Sequence, residues 1–289
     1  MLQSILKSAR PLNWIKNGFV LLPLVFSKTL FDIEILFQGL GVFFSFCFMS
    51  SSVYFFNDIT DCENDQNHPQ KRYRPIASGK LSHIIAWFCA FTLCCLSLII
   101  GMAIDPLVAL ILLIYVVINL IYSLYIKNLF ILDVMTIATG FVLRVYAGVV
   151  ITQTEVSFWI IFTTYSLSML LGFGKRRGEL NVIIENSEIH RYVLKEYSKK
   201  FLDQVMIINS VCAVISYSFY ASSHYAIGQY GSNKIIFTVP FVFYGVFRYL
   251  SLSGSNKFNE GPTNLFVKDQ GLMICTIMWI LFCIIFIYF

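Results

Sequence analysis

Nine stretches of the chain are too apolar to face water. They lie at about residues 17–31, 36–56, 84–104, 107–126, 131–151, 156–173, 204–223, 235–252 and 271–289. A helix of about 20 mostly apolar residues crosses the roughly 30 Å hydrocarbon core of a bilayer. Barrel strands would instead alternate over about ten residues, so a β-barrel is excluded. The expected fold is an all-α polytopic membrane protein, a single domain over residues 1–289 with nine transmembrane helices. Pro23 interrupts the first stretch, and the break from Gly101 to Pro106 separates the third from the fourth. Composition agrees: 57% hydrophobic and 13% charged residues, with a mean hydropathy of +0.73. Soluble domains carry about 45–50% apolar and about 25% charged residues. Disordered, collagen-like and disulfide-scaffold classes are excluded. No small-residue cleavage site follows the first apolar run, so no cleavable signal peptide is expected.

Nine crossings put the two ends on opposite sides. With a cytoplasmic N-terminus, the inner side holds the N-terminal tail and loops 57–83, 127–130, 174–203 and 253–270. Together with Arg248 these contain 18 of the 21 Lys and Arg; the outer side has only Lys28 and Lys234, and Arg144 lies within an apolar stretch. The positive-inside rule then predicts a multi-pass protein of the inner (cytoplasmic) membrane with its C-terminus outside. The net charge of +5 is accounted for by this asymmetry, so no nucleic-acid partner is implied. Seven of the eight Cys lie in apolar stretches, where a free thiol behaves as a small hydrophobe. Cys62 alone sits in a polar loop and reads as a bystander. No pair has zinc-ligand spacing.

The inner loops hold most of the polar residues, which places function on that face. Asp58, Asp61, Glu63 and Asp65 put four of the sixteen acids into eight residues. On a helix, Asp58, Asp61 and Asp65 share one face, and so do Asn57, Asp61 and Asp65. Like charges this close repel unless a cation bridges them. Clustered carboxylates suit Mg²⁺, which is typically held by one or two of them together with substrate phosphates. A solvated acidic loop is the alternative. Lys71, Arg72, Arg74 and Lys80 follow at once. Acids beside bases suit a phosphate ester held by metal on one side and by guanidinium forks on the other, although topology alone also favours basic residues here. His68 reads as structural.

Where the sixth stretch is expected to leave the membrane, Lys175, Arg176, Arg177 and Glu179 form a charged patch among glycines. Anchoring and anion binding explain it about equally. The rest of that loop mixes Arg191, Lys195, Lys199 and Lys200 with acids, as a solvated helical surface would. Within the fifth stretch, Arg144 lies about 16 Å by helix rise from Asp133. Intramembrane charge of this kind faces a cavity, a partner helix or an anionic ligand. Tyr122, Tyr125, Lys127 and Asn128 end the preceding stretch close to Asp133 in sequence.

The pattern Asn57-Asp58-x-x-Asp61-x-x-x-Asp65 resembles the first aspartate-rich motif of the UbiA-type intramembrane prenyltransferase superfamily. That resemblance implies nine helices around a central cavity open to the cytoplasm. Several further segments are similar to its polyprenyl-phosphate (decaprenyl-phosphate) phosphoribosyltransferase branch. They are Arg10-Pro11 with Trp14 and Lys16-Asn17, His68-Pro69 with Lys71-Arg72, Arg74 through Gly79, Phe141 through Arg144, Gly174 through Arg177 with Glu179-Leu180, and Gly261-Pro262-Thr263 with Asp269. Asn13 departs from the Gln expected there. Aromatic-acceptor members carry a second aspartate motif after the sixth helix, whereas this chain has Lys-Arg-Arg-x-Glu. The resemblance therefore implies a membrane enzyme that transfers 5-phosphoribosyl from phosphoribosyl pyrophosphate to a polyprenyl phosphate, with Mg²⁺ on Asp58, Asp61 and Asp65. Lys175, Arg176 and Arg177 are candidates for the donor's 5-phosphate. Lys16, Arg72, Arg74 and Arg144 are candidates for the pyrophosphate or lipid phosphate, and Asn57, Lys71, Tyr122, Lys127, Asp133 and Glu179 for further substrate contacts. An aromatic-acceptor prenyltransferase is the runner-up. A transporter for a phosphorylated solute is the reading from another class.

Overall fold

Backbone amides that meet no water must bond within their own segment, which in an apolar chain favours helices. The computed structural model describes residues 1–67, 71–155, 157–186, 192–254, 265 and 268–289, and every regular element among them is helical. His68-Pro69, Arg191 and Gly261-Pro262-Thr263 lie outside the described residues. In chain order the α-helices are α1 Leu2–Ala9, α2 Leu22–Phe26, α3 Ile33–Thr60, α4 Cys62–Gln66, α5 His83–Ile104, α6 Pro106–Leu124, α7 Leu132–Thr152, α8 Phe158–Asn186, α9 Lys199–Ala221, α10 His224–Tyr230, α11 Val239–Gly254 and α12 Gln270–Tyr288. Short 3-10 helices join some of them, the longest at Pro11–Val20.

Polar residues punctuate the apolar runs. Asp32 caps α3 through the amides of Glu34 and Ile35, and Ser82 caps α5. Asp105 caps α6, whose first residue is Pro106, at the break expected from Gly101 to Pro106. Ser198 caps α9 and Asp269 caps α12. Each cap satisfies an amide that the helix itself leaves open.

Among the described residues, seven helical segments are long and apolar enough to cross a membrane: Ile33–Thr60, His83–Ile104, Pro106–Leu124, Leu132–Thr152, Lys199–Ala221, Lys234–Ser253 and Gln270–Tyr288. They match seven of the nine expected crossings. The other two differ from expectation. Residues 17–31 are no single helix: a 3-10 segment runs to Val20, α2 takes up at Leu22, and the backbone turns left-handed at Lys28, with Pro23 unable to donate to a ladder. The sixth stretch is not among these seven, and its helix continues beyond residue 173. It forms the front of the 29-residue α8, which carries Lys175, Arg176, Arg177 and Glu179 on a continuous helix.

The chain divides into two units. The first comprises Met1–Leu24, Leu30–Lys127 and Leu143–Thr154. In it α3 packs along α5 and α6 over Val42, Phe46, Met49, Val53, Leu112 and Tyr115. A second cluster of Ala9, Phe55, Cys62, Ile76, Leu81 and Ala86 fastens α1 and the segment after α4 to these helices. The second unit comprises Val25–Thr29, Asn128–Val142 and Glu155–Phe289. There α8 packs along α9 over Val134, Leu170, Phe173, Leu202, Met206 and Tyr249. A Cβ on Gly174 would overlap the Tyr249 side chain, so glycine is required for that close approach.

Candidate active site

The first unit gathers the acidic motif and three basic residues. Asp58 lies in the last turn of α3, Asp61 terminates that helix, and Asp65 lies in α4. The i to i+4 bonds run on through the junction, from the Asp61 amide to the Asn57 carbonyl at 2.9 Å and from the Asp65 amide to the Asp61 carbonyl at 2.8 Å. Asp61 nevertheless leaves the helical backbone, with φ −92° and ψ 5°, and the three carboxylates do not act as one face. Arg74 Nη1 donates to Asp58 Oδ1 at 3.2 Å and to Asp65 Oδ2 at 2.5 Å. Arg10 donates to the same Asp58 oxygen. Asp61 instead takes Lys127 Nζ at 2.5 Å, and Glu63 is exposed. Repulsion among the acids is thus offset by arginine and lysine as well as by any bound cation. The Asn57 amide oxygen accepts from the Ser123 hydroxyl, which ties α3 to α6 at the same level.

The other candidates of this unit are placed less centrally. Arg72 is exposed, donating to the Tyr73 hydroxyl at 2.8 Å and lying over its ring. Lys16, Lys71 and Tyr122 are half-buried. Arg144 is buried deep in a polar nest: its Nε donates to Asn17 Oδ1 at 2.7 Å and its Nη2 to the Tyr115 hydroxyl at 3.0 Å. Asn17 in turn donates to Cys47 Sγ and Ser50 Oγ, and the guanidinium lies over the rings of Tyr115 and Phe46. Arg144 thus joins the 3-10 segment and α6 to α7. Cys62 sits 3.8 Å from His83 Nε2, and burial pushes its thiol above the ordinary range, as suits a bystander.

The second unit gathers the basic motif around Asp133. Arg176 Nε donates to Asp133 Oδ2 at 2.6 Å, and its Nη1 to Glu179 Oε2 at 2.7 Å. The other Asp133 oxygen accepts from the Tyr197 hydroxyl at 2.6 Å. Burial and this bond both raise the Tyr197 phenol above its ordinary range, so it stays a donor. Arg177 Nε donates to Asp203 at 2.5 Å. Arg176 and Arg177 are buried, whereas Lys175 is exposed with Glu179 at 3.8 Å. These pairs tie the charged part of α8 to carboxylates from α7 and α9.

Asp133 and Arg144 share α7, but each has its own partners. Residue spacing singled out Asp58 and Asp65, which meet at Arg74, but not their neighbour Arg10, nor Asn17, Tyr197 and Asp203, which bond the other candidates. Arg10 looked like one more basic residue of the N-terminal tail. The signal that could have marked it is its place directly before Pro11 in a segment of the branch motif.

Among the described residues no three Asp, Glu, His or Cys side chains are grouped to hold a metal. Asp58 and Asp65 nonetheless present two hard oxygens to one nitrogen of Arg74. Mg²⁺ needs only one or two carboxylates when phosphates supply the rest, so the donor set fits that ion.

An all-helical, multi-pass membrane protein with an Asn-Asp-x-x-Asp-x-x-x-Asp motif at the end of one long helix defines a narrow class. The UbiA prenyltransferase family matches residues 21–174, and the chain belongs to that family. Among solved structures, a UbiA homolog from Archaeoglobus fulgidus bound to GPP and Mg²⁺ aligns with a TM-score of 0.74 at 19% identity, over 99% of this chain and 100% of the other. Curated relatives include a decaprenyl-phosphate phosphoribosyltransferase of Mycolicibacterium smegmatis, 29% identical over 97% of this chain and 91% of the relative. A protein of the same name from Corynebacterium glutamicum is 29% identical over 97% and 85%.

Proposed function

We propose that this protein is a Mg²⁺-dependent pentosyltransferase of the inner membrane. It transfers 5-phosphoribosyl from phosphoribosyl pyrophosphate to a polyprenyl phosphate, giving a lipid-linked phosphoribose and pyrophosphate. The observation that carries this reading is the similarity, over nearly the whole chain, to relatives named decaprenyl-phosphate phosphoribosyltransferase. It is supported by the Lys175-Arg176-Arg177 motif on α8 at the point where a second aspartate cluster would be expected of an aromatic-acceptor enzyme. The orientation proposed is N-terminus cytoplasmic and C-terminus outside, from the distribution of Lys and Arg.

Asp58 and Asp65 would hold Mg²⁺, with Asp61 as the third candidate ligand. When bound, the ion supplies Lewis-acid neutralisation of the diphosphate. Arg10, Arg74 and Lys127 stand at the carboxylates and can take diphosphate oxygens in charge-assisted bonds. As the bond from the anomeric carbon to the diphosphate oxygen breaks, the electron pair leaves with pyrophosphate, and these cations stabilise the charge that accumulates there. A lipid phosphate oxygen, already anionic, forms the new bond without a general base. Positive charge develops on the ring as in other glycosyl transfers, and a single displacement inverts the centre to give the β-linked product. Lys175, exposed on α8, is the foremost candidate for the 5-phosphate, with Arg176 and Arg177 fixing the helix that carries it. Lys16, Arg72 and Arg144 remain candidates for the pyrophosphate or the lipid phosphate, and Lys71 for a further substrate contact.

The test is an assay of purified protein with labelled phosphoribosyl pyrophosphate and a polyprenyl phosphate, with and without EDTA. A parallel reaction uses a prenyl pyrophosphate and 4-hydroxybenzoate. Label transfer to lipid, abolished by EDTA, is the expected result. Prenylation of the aromatic acid without label transfer would replace the reading with the aromatic-acceptor one.

A further inference from the structure

Asp58 and Asp65 differ sharply from their partners in exposure. The carboxylate side chains are 2% and 3% exposed, whereas those of Arg10 and Arg74 are 27% and 28% exposed. A buried carboxylate stripped of its cation is strongly unfavourable. The arginines can therefore leave only if another cation arrives, and about a quarter of each side chain already faces solvent. A departing guanidinium is best satisfied by an anion that accepts its planar fork, as diphosphate oxygens do.

Arg10 is also held by its surroundings. It joins α1 to the 3-10 segment with φ 52° and ψ 59°, the left-handed region, where glycine or asparagine is the ordinary choice. The guanidinium lies over the Tyr54 ring, 4.9 Å from its centroid, which orients the fork toward Asp58.

We propose that Arg10, together with Arg74, is an exchangeable counter-ion, passing from Asp58 and Asp65 to the donor's diphosphate as the divalent cation takes the carboxylates. The proposal rests on the assignment of Asp58 and Asp65 as metal ligands under the proposed function. Its consequence is coupling. A divalent cation alone must displace two arginines that then have no anion. A diphosphate alone must draw those arginines off buried carboxylates. Arriving together, each satisfies what the other releases, so the two bind cooperatively. Arg10, which takes the diphosphate directly, has a specific signature: its loss strengthens binding of the metal alone and weakens binding of the diphosphate.

The test uses the full-length protein in detergent, with Mn²⁺ standing in for Mg²⁺ and inorganic pyrophosphate for the donor's diphosphate. Bound Mn²⁺ is followed by electron paramagnetic resonance and bound labelled pyrophosphate by equilibrium dialysis, each corrected for the soluble Mn²⁺–pyrophosphate complex. In the unaltered chain each ligand is expected to tighten the other by about 5- to 150-fold. In Arg10→Met, Mn²⁺ alone is expected to bind about fivefold tighter or more, and its enhancement by pyrophosphate to shrink accordingly. Arg10→Lys keeps the charge without the fork and is expected to fall between the two, which covers the case in which Arg10→Met does not fold. Mn²⁺ affinity unmoved by pyrophosphate in the unaltered chain, or unchanged in both Arg10 variants, overturns the exchange. Asp58→Asn separates the two layers. If it binds Mn²⁺ as the unaltered chain does, the metal assignment fails and the exchange with it. If it loses Mn²⁺ while the Arg10 variants bind as the unaltered chain does, only the exchange fails.

Discussion

Asp58 and Asp65 concentrate charge in a chain that otherwise avoids it, and substitutions there separate the roles of neighbouring groups. Asp58→Ala removes a proposed metal oxygen and orphans part of both arginine contacts. Turnover is expected to fall at least about a hundredfold, the scale seen when a group that stabilises transition-state charge is lost. Steady-state label transfer measures it, and near-normal Mg²⁺-dependent activity would defeat the assignment. Asp61 is partnered by Lys127. Asp61→Ala is also expected to abolish most turnover, and a mild effect would place Asp61 with Lys127 rather than with the metal. Arg176→Ala tests a different kind of residue. It strips a buried Asp133 of its guanidinium, at a cost of about 3–5 kcal/mol. It should therefore appear first as a lowered midpoint of thermal unfolding in detergent.

At the level of elements, close approaches and caps decide which helices can pack. Gly174 on α8 faces the Tyr249 side chain on α11, and an added methyl meets the ring. Gly174→Ala is expected to destabilise the protein by about 1–3 kcal/mol, as overpacking does. The double variant with Tyr249→Phe should recover part of that loss, because the hydroxyl is the atom met first. Asp269 caps α12 and receives Arg248 at 2.9 Å. The Arg248 bond holds its carboxyl below the ordinary range. A group depressed on folding contributes above its unfolded value and loses that contribution as pH falls through the folded value. Loosening at the start of α12 is thus expected only below about pH 3.9, the ordinary Asp value. Hydrogen exchange at the Leu272 amide, which Asp269 accepts at 2.8 Å, reports it.

For the whole molecule, the testable property is its orientation in the bilayer. Substituted cysteines near residues 72 and 195 are expected to react with a membrane-impermeant thiol reagent only from the cytoplasmic side, and one near residue 232 only from outside. Reaction of all three from the same side would refute the topology from which the inner-membrane proposal follows.

Hydropathy by itself determined that the chain is helical and crosses a membrane repeatedly, because a bilayer excludes unpaired backbone and leaves the sequence little choice. The acidic motif was equally plain, since like charges crowded into eight residues require a counter-charge. What supplied that charge was not written there. Arg10 lies 48 positions from Asp58, Lys127 lies 66 from Asp61, and Tyr197 lies 64 from Asp133. Such partners are fixed by helix packing, so spacing along the chain cannot reveal them. The same reason applies to the charged part of α8. Arg176 and Arg177 look like residues seeking water until Asp133 and Asp203 are brought to them. The sequence set how much charge the apolar chain must house, and the tertiary structure decided which side chains neutralise it, because Coulomb energy depends on distance in space and not on distance in sequence.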